Sequence, residues 1–240
     1  MPALPDACRP TTRNEGYAVQ EQVMAVAQRA QFGWKIAATS AAGQRHIGVD
    51  GPLAGRLLEG QVSHSGASVS LRGTQMGVAE PEFAFRIGRD LPPRQQPYTT
   101  EEVMAAVDTL HPSIEVPDSR FDDFAHAGGP QLIADNACAH LFVLGPAAPA
   151  SWRGTDLSSH AVKARVEGRY ERAGSGANVL GGPQLALTWI ANELSALGIT
   201  LRTGQVVTTG TCMAPLEIVP GDHVLMDFGA LGSVEARFVD

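Results

Sequence analysis

Two glutamates, Glu80 and Glu82, occupy alternate positions of a segment with the pattern of an amphipathic strand. One face of this segment, Val78–Ile87, is apolar, whereas the other carries both glutamates and Arg86. Carboxylate oxygens are the ligands that Mg²⁺, Mn²⁺ and Ca²⁺ prefer. The segment is therefore suited to half of a hard-cation site, but it equally fits a solvated strand in which Arg86 pairs with a glutamate.

A third carboxylate and an isolated lysine also lie among apolar residues. Glu115 lies in a short β-like run and faces away from its apolar neighbours Ile114 and Val116. Lys35 lies in an apolar segment, and it is one of only two lysines, with Lys163, in a chain that otherwise uses arginine. Because burial changes the pKa of a lysine readily, Lys35 is a candidate for a chemical role; pairing with a glutamate is the simpler alternative.

Composition restricts the classes of function. A chain of 240 residues fits one large domain or two small ones. Its net charge is −7, and it has no basic cluster for nucleic acid. The three cysteines, Cys8, Cys138 and Cys212, are far apart, which argues against a disulfide framework and for a reducing cytoplasm. Neither a signal peptide nor a membrane-spanning segment is expected from the apolar runs.

The elements that must position these residues follow from periodicity. A helix capped by Thr12 or Asn14 is expected to end at Gly33, followed by a strand over 34–39 that carries Lys35. The glycine-rich segment 40–60 is expected to be a loop with a short helix near 53–58; either a lid or an ordinary surface connection fits. Pro81 favours an edge position or a bulge for the glutamate strand.

The remaining segments predict helices and strands without βαβ regularity. Helices are expected from Thr99 or Thr100 to Leu110 and over 183–197, and strands over 62–72, 113–117, 139–144 and 205–209. Hairpins are expected over 161–172 and 224–238. This order indicates an α+β fold with a mixed, mainly antiparallel sheet.

The order of several short motifs resembles a known family. Gly33-Trp34-Lys35-Ile36, Glu80-Pro81-Glu82-Phe83, Ser113-Ile114-Glu115-Val116, Ala134-Asp135-Asn136-Ala137 and Thr208-Thr209-Gly210 follow one another in this order. Together they resemble the 2-keto-4-pentenoate hydratase / 4-oxalocrotonate decarboxylase branch of the fumarylacetoacetate hydrolase superfamily. The likeness extends over nearly the whole chain from about Tyr17.

This resemblance implies a fold and a site. The fold would be a mixed, mainly antiparallel β-roll with flanking helices, in a single domain over 1–240 with a short helical segment at about 1–32. A Mg²⁺ or Mn²⁺ ion would be held by Glu80, Glu82 and Glu115, beside a catalytic Lys35. The resemblance makes Thr209 and Asp135 candidates for substrate binding, although Thr209 could be a plain strand-end hydroxyl and Asp135 could order its loop. Cys138, which stands where relatives frequently have a serine, is a third candidate for the substrate pocket.

One position departs from the family pattern. Many hydratases carry an aspartate, proposed as an acid/base partner, where this chain has Gly60, so the neighbouring Glu59 is the candidate substitute. The implied activity is hydration of a 2-hydroxy-2,4-dienoate to a 4-hydroxy-2-keto acid in the catabolism of aromatic or related compounds. The alternatives are decarboxylation of a 2-keto dicarboxylate, for which Arg56 is a candidate second-carboxylate ligand, and a non-catalytic keto-acid-binding or partner subunit.

The same resemblance implies binding partners, a cellular location and an oligomeric state. The expected partner is a small 2-keto or 2-hydroxydienoate acid, with neither nucleic acid nor a membrane. A cytoplasmic homo-oligomer is expected, and a complex with a sister hydratase or decarboxylase is left open.

Overall fold

Thirteen β-strands and five α-helices make up the computed structural model, which describes residues 1–240. The helices are α1 (Arg13–Ala27), α2 (Ala41–His46), α3 (Thr100–Met104), α4 (Gly129–Ala134) and α5 (Pro183–Ala196). The strands are β1 (Gln31–Ala37), β2 (Leu53–Leu58), β3 (Val62–His64), β4 (Ala67–Ser70), β5 (Val78–Ile87), β6 (Val107–Val116), β7 (Leu141–Leu144), β8 (Ala161–Val166), β9 (Tyr170–Ser175), β10 (Val206–Thr211), β11 (Leu216–Glu217), β12 (His223–Asp227) and β13 (Ser233–Val239).

The strands form two sheets. Eight strands form the first, in the order β2-β1-β10-β5-β6-β7-β3 with β11 added to β5, and five form the second, in the order β4-β13-β12-β8-β9. Only the pairs β1/β10, β3/β7 and β4/β13 are parallel. The expected α+β fold with mixed, mainly antiparallel sheets is therefore confirmed.

The apolar face of β5 is buried against the second sheet. The rings of Phe83 on β5 and Phe228 after β12 meet edge to face, with their centroids 5.1 Å apart. The opposite face of β5 is also covered, since Glu82 is only 1% exposed. The glutamates therefore do not lie on a solvated strand face, and their burial needs compensation.

The N-terminal helix α1 begins where a capping box predicts. The Thr12 side chain accepts a hydrogen bond from the Glu15 backbone N–H, and the Glu15 side chain bonds back to the Thr12 backbone. Gly16 lets α1 approach α4 closely, because a Cβ there would lie 2.6 Å from the Pro130 carbonyl oxygen. No helix of the structure combines the length and apolar composition that crossing a membrane requires.

Several element predictions are wrong. The segment 53–58 is the buried strand β2 rather than a helix, because every residue of it is covered and it pairs with β1. Short apolar runs do not distinguish the two structures by periodicity. The helix before Leu110 ends at Met104 and gives way to β6, and the strand expected over 62–72 is divided into β3 and β4 at a turn containing Gly66.

Pro81 lies in the interior of the sheet, so the edge alternative is wrong. Strand β5 has β6 on one side and β10 on the other. The register of β10 against β5 breaks between Thr208 and Thr211, where the Pro81 carbonyl accepts a hydrogen bond from the Cys212 backbone N–H. Pro81 has no backbone N–H to donate, and it lies beside this irregularity in the β5/β10 pairing, as the bulge alternative predicts.

Candidate metal centre and substrate cavity

Three glutamates meet because of the register between β5 and β6. Glu80 stands directly opposite Glu115, and Glu82 stands one same-face position further along β5, opposite Ser113. One carboxylate oxygen from each of the three glutamates can be chosen so that all three lie within 4.8 Å of one another. The structure therefore brings together the three residues that the sequence resemblance assigns to a metal.

The hydrogen bonding of these carboxylates leaves several oxygens free. Glu82 Oε2 accepts hydrogen bonds from the Thr208 hydroxyl and from the Gly210 backbone N–H, the latter at 2.8 Å. Glu82 Oε1 and both carboxylate oxygens of Glu115 are buried without a hydrogen-bond partner, although Glu115 Oε2 forms an ion pair with Lys35 Nζ. Buried acceptors of this kind are costly, and an all-oxygen set suits a hard divalent cation.

Burial also changes the protonation of the glutamates. It raises the pKa of Glu80 and raises the pKa of Glu115 well above its usual range. Burial, with the charge of Glu80 added, raises the pKa of Glu82 to about 8. Three carboxylates this close together are therefore stable as anions only with a compensating cation.

Lys35 supplies one positive charge next to this cluster. It lies on β1, opposite Gly55 of β2 and Thr208 of β10. Its Nζ lies 3.3 Å from Glu115 Oε2 and donates a hydrogen bond to the Ala137 carbonyl at 3.1 Å. Burial opposes the charge of Lys35, but the carboxylates of Glu115 and Glu80 outweigh it and raise the pKa, so the side chain is an ammonium.

A left-handed turn holds the carbonyl that Lys35 contacts. Asn136, Ala137 and Cys138 have φ values of 56°, 50° and 59°, an uncommon conformation for three successive residues other than glycine. The Asn136 side chain accepts a hydrogen bond from the Arg56 backbone N–H at 2.7 Å and donates one to the Arg56 carbonyl at 2.9 Å. These bonds fasten the turn to β2, and the tolerance of asparagine for positive φ is the sequence signal for it.

An open cavity of about 640 Å³ leads to the carboxylates. Lys35, Glu80 and Cys138 line its polar end, together with Gly210 and Thr211. Its walls are largely apolar and come from separate segments of the chain: Ile47, Met76, Val78, Phe124, Met213 and Pro215. A small organic acid could therefore reach the carboxylate cluster with its apolar part against these walls.

The three proposed substrate-binding residues differ in their placement. Cys138 lines the cavity, and burial raises the pKa of its thiol to about 12. The Thr209 hydroxyl donates to the Phe83 carbonyl at 2.9 Å, and Thr209 is buried outside the cavity wall. Sequence reasoning did not single out its neighbour Thr208, whose hydroxyl contacts Glu82.

Asp135 bonds to nearby loop residues and does not line the cavity. Its carboxylate accepts hydrogen bonds from the Ser119 hydroxyl at 2.7 Å and from the Arg120 backbone N–H at 3.2 Å, and it also pairs with the Arg120 guanidinium. The side chain is 3% exposed and is absent from the cavity lining. These contacts order the segment that precedes the left-handed turn.

Glu59 is not brought to the site. It follows β2 and is exposed, and the β1/β2 register places its neighbour Leu58 opposite Gln31. Four residues of strand separate Gln31 from Lys35, or about 13 Å. The correction follows from β2 being a strand: a helix in a mobile lid could have carried Glu59 inward, but an antiparallel strand carries it away.

Comparison with known proteins gives the family. The model of the fumarylacetoacetate (FAA) hydrolase C-terminal family matches residues 58–239, about three quarters of the chain. The chain belongs to this family. The resemblance found in the sequence is thereby confirmed, and with it the fold class.

Relatives within the FAA hydrolase family include two named hydratases. The 2-keto-4-pentenoate hydratase of Paraburkholderia xenovorans (strain LB400) is 34% identical over 210 residues, covering 88% of this chain and 77% of that protein. The 2-hydroxyhexa-2,4-dienoate hydratase of Comamonas testosteroni is 33% identical over 214 residues, covering 87% of this chain and 78% of that protein.

A solved structure in the same group is a decarboxylase. The 4-oxalocrotonate decarboxylase from Pseudomonas putida G7, complexed with magnesium and adipate, superposes with a TM-score of 0.86 at 29% identity. The match covers 95% of this chain and 86% of that one. This FAA hydrolase family member thus has similarity to enzymes of both reaction types.

Proposed function

We propose that this protein is a divalent-metal-dependent lyase that adds water to a 2-hydroxy-2,4-dienoate and yields a 4-hydroxy-2-keto acid. The observation that carries the proposal is the group of three glutamates beside the Lys35 ammonium in a largely apolar cavity, two of which, Glu82 and Glu115, have buried oxygens without a hydrogen-bond partner. The sequence similarity to two hydratases supports the reaction type.

Mg²⁺ or Mn²⁺ is the proposed cofactor, with Glu80, Glu82 and Glu115 as its ligands. The three residues offer only oxygen, which fits either ion, and the structurally similar decarboxylase is complexed with magnesium. Such an ion, when bound, would act as a Lewis acid toward the oxygens on C1 and C2 of the substrate. Thr208 and Gly210 would orient Glu82 through the bonds to its Oε2.

Lys35 is the proposed catalytic residue of the chain itself. Its ammonium is held by Glu115 and the Ala137 carbonyl and faces the cavity, where it can donate a hydrogen bond to a negatively charged C2 oxygen. A charge fixed before the reaction begins stabilises a developing enolate without reorganisation. In the overall reaction the hydroxyl of water bonds to C4, the C2 enol becomes a ketone, and the two protons end on C3 and C5.

The decisive experiment offers the purified protein 2-hydroxydienoates with Mg²⁺ or Mn²⁺. Loss of the dienol absorbance without release of carbon dioxide is the expected result. If carbon dioxide is released from a 2-keto dicarboxylate instead, the decarboxylase alternative holds; its supporting observation is the structural similarity to a decarboxylase. If nothing turns over while pyruvate or oxalate still binds, the protein is a non-catalytic binder.

The oligomeric state and the cellular location of the enzyme are also part of the proposal. We expect a homo-oligomer in the cytoplasm, as the family resemblance implies. Light scattering of the purified protein would measure the subunit number, and co-purification with a sister hydratase or decarboxylase would reveal a mixed complex.

A further inference from the structure

Four residues between β10 and β11 bulge away from the neighbouring strand β5. Thr211, the last residue of β10, pairs with Glu82 of β5. Leu216, the first residue of β11, pairs with Ala79, so residues 212–215 lie opposite only two residues of β5. Extra residues of this kind turn a strand out of its sheet. We call residues 212–215 the wall segment, because three of them line the cavity: Met213, Ala214 and Pro215.

The second sheet and the turn after it bond to the first and the last residue of the wall segment. The Cys212 carbonyl accepts a hydrogen bond from the Ser175 backbone N–H at 3.2 Å and one from Asn178 Nδ2 at 2.6 Å. The Pro215 carbonyl accepts a hydrogen bond from the Arg172 guanidinium. Arg172 and Ser175 lie on β9, and Asn178 follows that strand. The wall segment is therefore anchored from outside the sheet that carries the glutamates.

The anchor at Cys212 lies close to the carboxylates. The Cys212 backbone N–H donates a hydrogen bond to the Pro81 carbonyl at 2.9 Å, and Pro81 lies between two of the three glutamates in the chain. A change at Asn178 would therefore act on the glutamates and on the cavity wall together. The anchor at Pro215 is at the other end of the wall segment, so a change at Arg172 acts on the wall alone.

Three contacts fix the orientation of the Arg172 guanidinium. Besides the Pro215 carbonyl, it bonds to the two carboxylate oxygens of Glu217 at 2.9 and 3.1 Å, and it lies 5.1 Å from the centre of the Tyr170 ring. The Tyr170 hydroxyl in turn donates to the Glu217 carbonyl at 2.8 Å. A planar guanidinium bonds to several acceptors at fixed angles, which a lysine ammonium on a flexible stem does not reproduce. The bond to Pro215 therefore depends on arginine and not on positive charge alone.

Neither Arg172 nor Arg56 lines the cavity. The Arg56 guanidinium stacks over the Trp34 ring, 4.6 Å from the centroid, and donates to Gln31 Oε1 at 2.8 Å. The sequence-based suggestion that Arg56 binds a second substrate carboxylate is therefore not supported by its position. Arg172 differs from Arg56 because it contacts the carbonyl of Pro215, a residue that does line the cavity.

Resting on the function proposed above, we infer that Arg172 is a positioning residue that holds the wall segment against the carbon chain of the bound 2-oxo acid. The head of the acid lies at the glutamates and Lys35, and the wall segment limits where its chain can lie. A displacement of about 1 Å caused far from the reacting atoms can lower a rate by about 100-fold. The anchored wall thereby keeps C4 of the substrate in the position where water adds.

Two ligands distinguish positioning from a general structural role. 2-Oxopentanoate has an alkyl chain that contacts the cavity walls, whereas oxalate offers the metal two carboxylates and has no chain. Calorimetric titration of Mg²⁺-loaded Arg172→Met is expected to show about tenfold weaker binding of 2-oxopentanoate than the wild type, as for the loss of one methylene contact. Binding of oxalate and of Mg²⁺ should be unchanged. Equal weakening of both acids, or of neither, would overturn the inference.

Two further substitutions serve as controls. Arg172→Lys keeps a positive charge beside Glu217 but should not restore 2-oxopentanoate binding; restoration would show that charge alone holds the wall and would contradict the role of the carbonyl bond. Arg165→Met removes an arginine from the neighbouring strand β8 that is 51% exposed and pairs with Glu167 at 3.5 Å. This variant should bind both acids as the wild type does, and a selective loss of 2-oxopentanoate binding would count against a specific role for Arg172.

Glu217→Gln tests the same role if Arg172→Met does not fold. The Glu217 side chain is 63% exposed, and the substitution removes the ionic partner of Arg172 while the guanidinium remains. A selective loss of 2-oxopentanoate affinity is expected, with oxalate affinity unchanged. Affinity for 2-oxopentanoate equal to that of the wild type would contradict the inference.

The hydratase function and the role of Arg172 fail in different ways. Absence of dienoate turnover, with selective loss of 2-oxopentanoate binding in Arg172→Met, would overturn the hydratase function and leave the positioning role standing. Turnover of dienoates, with the same binding in Arg172→Met as in the wild type, would do the reverse. Failure of the wild type to bind 2-oxopentanoate would count against both, because both place a 2-oxo acid in this cavity.

Discussion

Glu80 and Glu115 stand directly opposite each other on antiparallel strands β5 and β6, with Lys35 3.3 Å from Glu115. Two negative charges directly opposite each other on neighbouring strands destabilise a sheet unless a positive charge lies close to them. The cation proposed above would compensate this pair, which the stability of the sheet does not explain.

Glu80→Gln is expected to weaken Mg²⁺ binding by more than about 100-fold, since loss of outer partners of a metal site alone costs about 10–100-fold. The metal-free variant should be as stable as the wild type or more stable, because one of three crowded, buried charges is removed. Calorimetric metal titration and urea unfolding with and without Mg²⁺ measure the two effects.

Glu59→Gln is the matched control for that substitution. Glu59 is exposed beyond β2, so Mg²⁺ affinity and kcat/KM should both be unchanged. A substantial loss of activity in Glu59→Gln would restore Glu59 as the acid/base residue and contradict its placement here.

Lys35→Met is expected to lower kcat by about 100-fold or more while Mg²⁺ still binds, because removal of one fixed donor to a developing oxyanion costs about that much. Lys35→Arg should not restore the rate: the side chain is 3% exposed, and a planar guanidinium cannot take the place of a compact ammonium there. Steady-state kinetics at saturating Mg²⁺ measure this. Full activity of Lys35→Met would exclude Lys35 from the reaction, and full activity of Lys35→Arg would contradict the requirement for an ammonium.

Gly55→Ala should displace the left-handed turn from β2. A Cβ on Gly55 would lie 2.3 Å from the Asn136 carbonyl oxygen and 3.1 Å from Lys35 Cγ. We expect a loss of about 1–3 kcal/mol in the free energy of unfolding, together with reduced kcat. Gly51→Ala is the control, because a Cβ there meets nothing within 4 Å, and its effect should stay within about 0.5 kcal/mol.

Asn136→Ala should lose about 1–3 kcal/mol of stability, since two hydrogen bonds to the Arg56 backbone are removed. Asn136→Gly loses the same bonds but relieves the positive φ, so it should be about 1 kcal/mol more stable than Asn136→Ala. Urea unfolding of both variants measures the difference. Equal stability would show that the left-handed backbone is not strained.

His111 gives the protein a pH-dependent stability. The ring is buried on β6 and contacts the Gly145 carbonyl and the Thr109 hydroxyl, each at 2.9 Å; burial lowers its pKa. The unfolded chain then binds the proton more readily, so this stabilisation is present above about pH 6.5 and declines as the pH falls toward the folded-state pKa.

The His111→Gln variant isolates this effect. Comparison of wild type and variant by urea unfolding at pH 7.5 and 5.5 should show the larger loss of stability in the wild type. One proton limits the additional slope to about 1.4 kcal/mol per pH unit. Identical pH dependence in the two proteins would mean that His111 does not titrate differently on folding.

Prediction from the sequence succeeded for elements of secondary structure that depend on residues close together in the chain. The strand Val78–Ile87, the helix start capped by Thr12 and the helix beginning at Pro183 each depend on residues close in the chain, and each is confirmed. The end of the first helix is not, because α1 ends at Ala27 rather than at Gly33 and β1 already begins at Gln31. Prediction also failed at Leu53–Leu58, where the apolar run suits a helix or a strand equally, and pairing with β1 decides.

From the amino-acid sequence alone, residue types and short-range spacing indicated the α+β character of the chain, and the order of its motifs, through the family resemblance, indicated the group of Glu80, Glu82, Glu115 and Lys35. Only the tertiary structure decided that Glu80 stands opposite Glu115, that Thr208 bonds to Glu82 and that Glu59 lies exposed beyond the end of β2. These relationships depend on strand register, and a shift of one residue would turn every side chain of a strand to the opposite face. Register is set by contacts between distant segments.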